Sequence, residues 1–266
     1  MKLKFPTKYD LDYPVKNKNY YGNTYRKEIE EILLKASDRY CMYCGKSLSI
    51  DNDLAFNIEH SIEKSGYGNI KDDIKFLKHC KFNMSVACYS CNQKYKNRMI
   101  DRVDSEFVKN NIDCNDKECK EPCDELLKIR EEYYKYNNII LQPFGKKDDN
   151  EEYYEIEYNL LKHIFEPVIK ETDDLNKINF IREHIARFHL NKEMFSSCIL
   201  EICEVIVGLF YAFGEGITID QVLDIVEIRR SNNILGVVFI KFIRDNFKKS
   251  NDLNEFCKLL ILLDYV

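Results

Sequence analysis

Two pairs of cysteines in this 266-residue chain have the spacing of metal ligands. Two residues separate the members of each pair, and 43 residues lie between the pairs. Four thiolates at this spacing can close a tetrahedral zinc site with no open position, which is the arrangement of a structural site. The alternative is that they are ordinary buried cysteines. We expect one structural Zn²⁺ on Cys41, Cys44, Cys88 and Cys91.

A glutamate, a histidine and an asparagine accompany these cysteines. Glu59 and His60 are adjacent, and Asn92 directly follows the last cysteine. A histidine can take a proton from water at neutral pH, and carboxylate and amide oxygens are the ligands that Mg²⁺ prefers. Because adjacent residues of a strand point to opposite faces, the strand must end or twist here for both side chains to reach one site. Taken alone, the pair is better explained as a surface glutamate and an incidental histidine, and Asn92 could cap a helix.

In this order, the segment Cys41–Asn97 resembles the zinc-stapled kind of HNH endonuclease motif. The resemblance rests on C-x2-C, Glu-His, a middle asparagine, and C-x2-C-N followed by lysines. It implies a ββα-metal module that holds one catalytic Mg²⁺ or Mn²⁺ and hydrolyses DNA phosphodiesters, leaving 5′-phosphate and 3′-hydroxyl ends. It also implies His60 as general base and Asn83 as support for the loop and the base. Glu59 and Asn92 are then the ligands of the catalytic metal.

Two positions depart from that pattern. Many members have a proline three residues after the histidine and an acid three residues before it, where this chain has Glu63 and Asn57.

Charge is distributed unevenly along the chain. The net charge of −5 argues against a protein that coats nucleic acid with its whole surface, yet residues 71–102 carry eight lysines and arginines against three aspartates. We expect Lys94, Lys96 and Arg98 to contact the nucleic-acid backbone. The alternative is a solvated helix face.

Apolar spacing, together with the module that the resemblance implies, predicts an α+β fold in which a small HNH module is followed by a mainly helical domain. A helix reads from about Thr24 into the first cysteine pair, and short strands and loops are expected between Ser47 and Ala87. From Glu151 onward the sequence reads as wholly helical, with Met194–Phe213 as a buried central helix. The predicted division is 1–40 (arm and helix), 41–110 (nuclease module), 111–150 (irregular cysteine-rich connector) and 151–266 (helical, partner-binding).

Other cysteines and histidines receive structural interpretations. Cys114, Cys119 and Cys123 could bind a second zinc with a fourth ligand such as His79 or Cys80, or they could be free loop cysteines. We expect His184 and His189 at the surface or at a partner contact. The remaining cysteines with an apolar helical context are expected in the core: Cys198, Cys203 and Cys257.

A second, looser resemblance concerns partners. The form IEH…KS, the segment IILQPFGKKDD and the stretch LNKINFIREHIARFHLNKEMF are similar to HNH subunits of Septu-type and retron-associated anti-phage systems. This implies an ATPase partner that binds the helical half and releases DNA cleavage on a signal. No signal peptide or apolar run of membrane-spanning length is visible, so we expect a cytoplasmic protein with no membrane contact. The alternatives are a non-catalytic zinc-knuckle module that binds nucleic acid or protein, with a vestigial HNH site, and a helical functional core that the zinc module only docks.

Overall fold

The computed structural model describes residues 1–50, 53–65, 74–96, 118–171, 173–228 and 231–265. Its strands are β1 (Lys2–Phe5), β2 (Ser49–Ile50), β3 (Asp53–Leu54), β4 (Asn57–His60), β5 (Met84–Ala87), β6 (Ile156–Asn159) and β7 (Ile164–Pro167). Its α-helices are α1 (Arg26–Ala36), α2 (Lys75–His79), α3 (Asp124–Tyr136), α4 (Leu175–Arg187), α5 (Glu193–Phe213), α6 (Ile219–Ile228), α7 (Ile234–Asn246) and α8 (Ser250–Asp264). Residues Ser90–Lys96 wind with the wider turns of a π-helix and are called the π-helix below. The predicted α+β class is confirmed.

A three-stranded antiparallel sheet joins the first residues of the chain to a pair of strands near its middle, with β6 between β1 and β7. Phe5 of β1 pairs with Ile156 of β6, and Ile156 pairs with Pro167 on its other side. Alternate residues of β1 are buried, which is the period of a strand with one face on the core. The expectation that everything after Glu151 is helical is therefore wrong for β6 and β7.

A second pair of strands lies between the two cysteine pairs. β4 runs antiparallel to β5, with Ile58 opposite Val86 and His60 opposite Met84. All four residues of β5 are buried, so this strand is part of the core on both faces. The π-helix follows the second cysteine pair directly.

The helical half, α4–α8, is organised around α5. This helix packs against α6, α7 and α8, and Ile199, Cys203 and Ile206 on it are buried. The central position predicted for this helix is confirmed, but the predicted burial is incomplete, because Glu201, Glu204 and Tyr211 are exposed along one side, with 94% of Tyr211 accessible. The predicted core cysteines Cys198, Cys203 and Cys257 are all buried. None of the described helices combines the length and the apolar character that a membrane span requires.

One apolar core runs through all four predicted segments. Buried Leu33, Val86, Ile129 and Phe239 belong to the same cluster, although they come from the arm, the nuclease module, the connector and the helical domain. Helix α1 packs on β5, and α7 packs on β1. The elements around the cysteines therefore rest on the helical half rather than standing apart from it.

Candidate functional site

Four buried cysteines converge beside β5. The ligand atoms of Cys41, Cys44, Cys88 and Cys91 all lie within 4.8 Å of one another, and the sulfurs of Cys44 and Cys88 are 3.8 Å apart. A Zn–S distance of about 2.3 Å gives a tetrahedral edge of about 3.8 Å, so the spacing suits zinc. Hydrogen bonds from the Cys41 and Cys44 thiols hold the pKa of Cys88 well below its ordinary value, and the thiolate is the form that binds metal. The hydrogen bond with Cys41 raises the pKa of Cys44, and burial raises that of Cys91. The four cysteines, called the cysteine site below, could therefore hold a structural zinc.

The first cysteine pair is shaped by a turn that needs glycine. Gly45 has a φ of +70°, and its N–H donates to the Cys41 carbonyl at 2.8 Å. A Cβ on Gly45 would lie 2.4 Å from Ile234 Cγ2 and 2.8 Å from Asn233 Oδ1. Both the backbone conformation and the close approach of α7 therefore exclude a side chain at this position.

The same turn is bonded to the start of α7. The Ile234 N–H donates to the Gly45 carbonyl at 2.8 Å, and the Asn233 Nδ2 donates to the Cys44 carbonyl at 3.1 Å. Asn233 also caps α7, since its Oδ1 accepts from the Leu235 N–H at 2.9 Å. The cysteine site is thus attached to the helical half by a main-chain hydrogen bond from Ile234 and by the side chain of Asn233.

His60 lies at the end of β4 with a defined ring orientation. Its Nε2 lies 3.0 Å from the Lys78 carbonyl oxygen, which can only accept a hydrogen bond. We therefore assign the proton of the neutral ring to Nε2, and this makes Nδ1 the basic nitrogen. The Tyr21 ring packs edge-on against the imidazole at 4.6 Å between centroids, and His60 is 8% exposed.

Asn83 braces the two chain segments that meet at His60. Its Oδ1 accepts from the Ile62 N–H at 2.8 Å, and its Nδ2 donates to the carbonyls of Ile62 and Leu77 at 2.9 Å each. Ile62 lies two residues beyond His60, and Leu77 directly precedes the residue whose carbonyl orients the imidazole. Asn83 therefore links the residues on either side of His60, and the supporting role that the resemblance implies for it stays a prediction.

Glu59 is enclosed by hydrogen-bond donors. Its Oε2 accepts from Tyr43 Oη at 2.8 Å and from Ser85 Oγ at 2.7 Å, and its Oε1 forms an ion pair with Lys96. Burial and the neighbouring Glu59 charge raise the pKa of Tyr43 well above its ordinary value, so the phenol remains a donor. With 2% of Glu59 exposed, the carboxylate as it stands does not fit a divalent cation.

Lys96 points inward rather than toward a nucleic acid. Its Nζ donates to the His60 carbonyl at 2.6 Å and to Glu63 Oε1 at 2.9 Å, and the residue is 2% exposed. Burial alone would lower the pKa of Lys96, but the charges of Glu59 and Glu63 outweigh it and raise the pKa. The predicted backbone contact by Lys96 is therefore corrected, because two carboxylates hold its ammonium in the interior.

Three predicted site residues remain: Asn92, Lys94 and Arg98. Lys94 is exposed on the π-helix, Asn92 is half-buried, and the Asn92 N–H donates to the Cys88 carbonyl at 3.0 Å. The ligand role of Asn92 and the phosphate contact of Lys94 stay predictions. Arg98 lies outside the described residues.

Of the second cysteine group, Cys119 and Cys123 are described and half-buried, whereas Cys114 lies outside the described residues. Cys119 Sγ accepts a hydrogen bond from Asn17 Nδ2 at 2.9 Å. Within the described ranges, neither cysteine belongs to a group of side chains that could hold a metal.

A carboxylate cluster also exists, formed by Asp148, Glu152 and Asp173. Lys177 Nζ lies 2.7 Å from a carboxylate oxygen of both Asp148 and Asp173. Lys177 therefore offsets one of the three negative charges of this cluster, and Lys170 pairs with Glu152 at 2.9 Å.

Two histidines of the helical half were predicted at the surface or at a partner contact, and the structure places them in different surroundings. His184 is buried, so its predicted surface position is wrong. His189 is half-buried, and its ring packs edge-on against Tyr95 of the π-helix at 4.5 Å between centroids. Arg187 Nη1 donates to the Tyr95 carbonyl at 3.5 Å, and Lys192 Nζ lies 3.3 Å from its hydroxyl.

Sequence reasoning missed the donors around Glu59 and the cover over His60. Tyr43 lies within the first cysteine pair, one residue before Cys44, which is the sole signal that it could approach the site. Tyr21 and Ser85 carry no pattern that predicts their contacts.

A scan against models of protein families, a search of curated proteins and a search of solved structures each found no match to this chain.

Proposed function

We propose that the chain is a nuclease of the HNH type that hydrolyses DNA phosphodiester bonds with His60 as general base. The observation that carries this proposal is the hydrogen bond between His60 Nε2 and the Lys78 carbonyl. It sets the ring so that Nδ1 is the nitrogen able to take a proton from water. Asn83 braces the same place through three side-chain hydrogen bonds.

The order of elements supports the same proposal. The first cysteine pair, the strand ending in Glu59-His60, the antiparallel strand β5, the second cysteine pair and the π-helix follow one another as the HNH resemblance requires. Zinc on the cysteine site would hold the two ends of this segment together and so position His60. The exposed Lys75 and Lys94 could contact phosphates.

The predicted Mg²⁺ or Mn²⁺ is the part of the proposal that the geometry supports least. Both oxygens of Glu59 are engaged by Tyr43, Ser85 and Lys96. This observation favours a second candidate function, a non-catalytic zinc-knuckle module that binds nucleic acid or a protein.

A partner subunit belongs to the proposal as well. We propose that the helical half contacts an ATPase in an anti-phage system, as the looser resemblance implies. Large apolar side chains exposed on α5 and just after α8, among them Tyr211, Phe213 and Tyr265, support a contact surface there.

Cleavage of supercoiled plasmid distinguishes the two candidate functions. We expect the zinc-loaded protein to nick or linearise the plasmid when Mn²⁺ is added, and His60→Asn to cut about 100-fold more slowly or less, as expected for loss of a general base. His163→Asn is the matched control, since His163 has a φ of +54° that asparagine tolerates. In a parallel reaction EDTA replaces Mn²⁺ and should abolish cleavage. The zinc content of the protein is measured after the EDTA treatment, so that loss of structural zinc is not mistaken for loss of Mn²⁺.

Equal cutting by the wild type and His60→Asn would contradict the proposed role of His60. Absence of cutting by all three proteins, both alone and with the ATPase partner, together with DNA binding that ignores Mn²⁺, would favour the binding module.

A further inference from the structure

The carboxylate assigned to the catalytic metal already has a cation. The Lys96 ammonium forms an ion pair with Glu59, lies 2.9 Å from Glu63 Oε1 and donates to the His60 carbonyl at 2.6 Å. Three oxygen atoms from three different residues therefore converge on one positive charge. Oxygen donors of these kinds, carboxylate and main-chain carbonyl, are also the ones that hard divalent cations use.

A divalent cation and this ammonium cannot share Glu59. The second oxygen of the carboxylate is filled by Tyr43 and Ser85, so a metal would have to bind at the oxygen that Lys96 uses. Mg²⁺ requires oxygen ligands at about 2.0–2.1 Å, which would bring it within hydrogen-bonding distance of the ammonium. In a buried site the repulsion between two such cations is weakly screened.

We infer that Lys96 is the resident cation of a three-oxygen site formed by Glu59, Glu63 and the His60 carbonyl, and that a divalent cation binds Glu59 only when Lys96 leaves. This inference rests on the proposed function for its consequence, which is that Mn²⁺-dependent DNA cleavage proceeds only in those molecules whose Lys96 has left Glu59, so that the wild type cuts slowly. Glu63, at the position where many HNH proteins have proline, thereby acquires a role as an oxygen donor.

The helix that carries Lys96 is held from the helical half. Lys96 is the last described residue of the π-helix, and its neighbour Tyr95 contacts Arg187, His189 and Lys192. π-helical turns are rare and are frequently found at functional sites. If the π-helix changed to the narrower turns of an α-helix, Lys96 would rotate relative to Glu59. The contacts that Tyr95 makes with the helical half lie directly beside Lys96, the residue that has to move.

Mn²⁺ binding to zinc-loaded protein, counted by electron paramagnetic resonance without DNA, tests this inference. We expect the wild type and the exposed-lysine control Lys128→Met to show no Mn²⁺ that depends on Glu59. Lys96→Met is expected to bind one Mn²⁺ per chain, with an affinity at least about tenfold above that of the wild type, because the competing buried charge is gone. The double variant Lys96→Met/Glu59→Gln should lose that ion.

Lys96→Gln, which keeps a hydrogen-bond donor near the two acids, serves as a second variant should methionine destabilise the fold. Glu59-dependent Mn²⁺ binding by the wild type overturns the inference, as does a folded Lys96 variant that binds no more Mn²⁺ than the wild type. The readout is independent of cleavage. Lys96 variants that gain Mn²⁺ but cut no DNA would refute the proposed function alone. A protein that cuts DNA but binds Mn²⁺ equally well with and without Lys96 would refute this inference alone.

Discussion

At the scale of single residues, His184 shows how burial changes a side chain that the sequence places among charged neighbours. Its Nδ1 accepts a hydrogen bond from the Ile140 N–H at 3.0 Å. Burial, with a smaller contribution from Arg187, lowers the pKa of His184 from 6.5 to about 3. The folded protein therefore holds this ring neutral, whereas the unfolded chain protonates it below about pH 6.5.

The pH dependence of stability follows from that difference. The contribution of His184 is fully present above the unfolded pKa and is lost as pH falls from about 6.5 toward 3, at up to about 1.4 kcal/mol per pH unit. We expect His184→Asn, which keeps an acceptor for Ile140, to lose this component of the slope. Urea unfolding of both proteins at pH 7, 6 and 5 measures it. Identical slopes for the two proteins would contradict a buried neutral His184.

Residue types could be predicted at the candidate site, but residue environments could not. The order of cysteines, Glu59, His60 and the asparagines is visible in the sequence because it follows spacing alone. The burial of Lys96 is not, because the sequence shows one more lysine in a basic run. Its position depends on two acids 33 and 37 residues earlier that reach it only in the folded chain.

At the scale of elements, the turn between the first cysteine pair and α7 is the joint that the site depends on. Gly45 has a positive φ, and a Cβ added to it would lie less than 3 Å from atoms of Ile234, Asn233 and Phe5. These neighbours belong to α7, its cap and β1. One small residue therefore permits the cysteine site, a helix and the three-stranded sheet to meet.

Replacing Gly45 with alanine should destabilise the protein. We expect a loss of roughly 1–3 kcal/mol in the free energy of unfolding, because the backbone conformation is strained and the core is overpacked. Gly208→Ala is the matched control, since a Cβ there meets nothing within 4 Å and the helix favours alanine by about 0.5–1 kcal/mol. Thermal unfolding of the two variants should shift in opposite directions, and equal shifts would contradict this role for Gly45.

The helices were more predictable than the sheet. In α1 the buried residues Ile29 and Leu33 follow the helical period, so local sequence suffices to predict the element. β1 and β6 are four residues each and are more than 150 residues apart, so nothing local indicates their pairing. Short strands of this kind are specified by the partner they meet and the core face they cover.

At the scale of the whole molecule, two contacts connect the candidate site to the helical half. The first is the bonding of the first cysteine pair to the start of α7 through Asn233 and Ile234. The second is the contact of Tyr95 with the end of α4 and the turn that follows. The first contact comes from the first cysteine pair and the second from a residue four positions after Cys91. Because both begin beside the cysteine site, zinc binding and the stability of the helical half should be coupled.

The measurement that tests this structure most directly is the zinc content of the intact chain by native mass spectrometry, followed by its thermal unfolding. We expect one zinc per wild-type chain, loss of zinc and a lower unfolding temperature in Cys88→Ser, and full zinc in the core-cysteine control Cys198→Ser. A wild-type chain that purifies without zinc and takes none up, or a Cys88→Ser variant that keeps its zinc and its stability, would contradict the cysteine site and the positioning of His60 that depends on it.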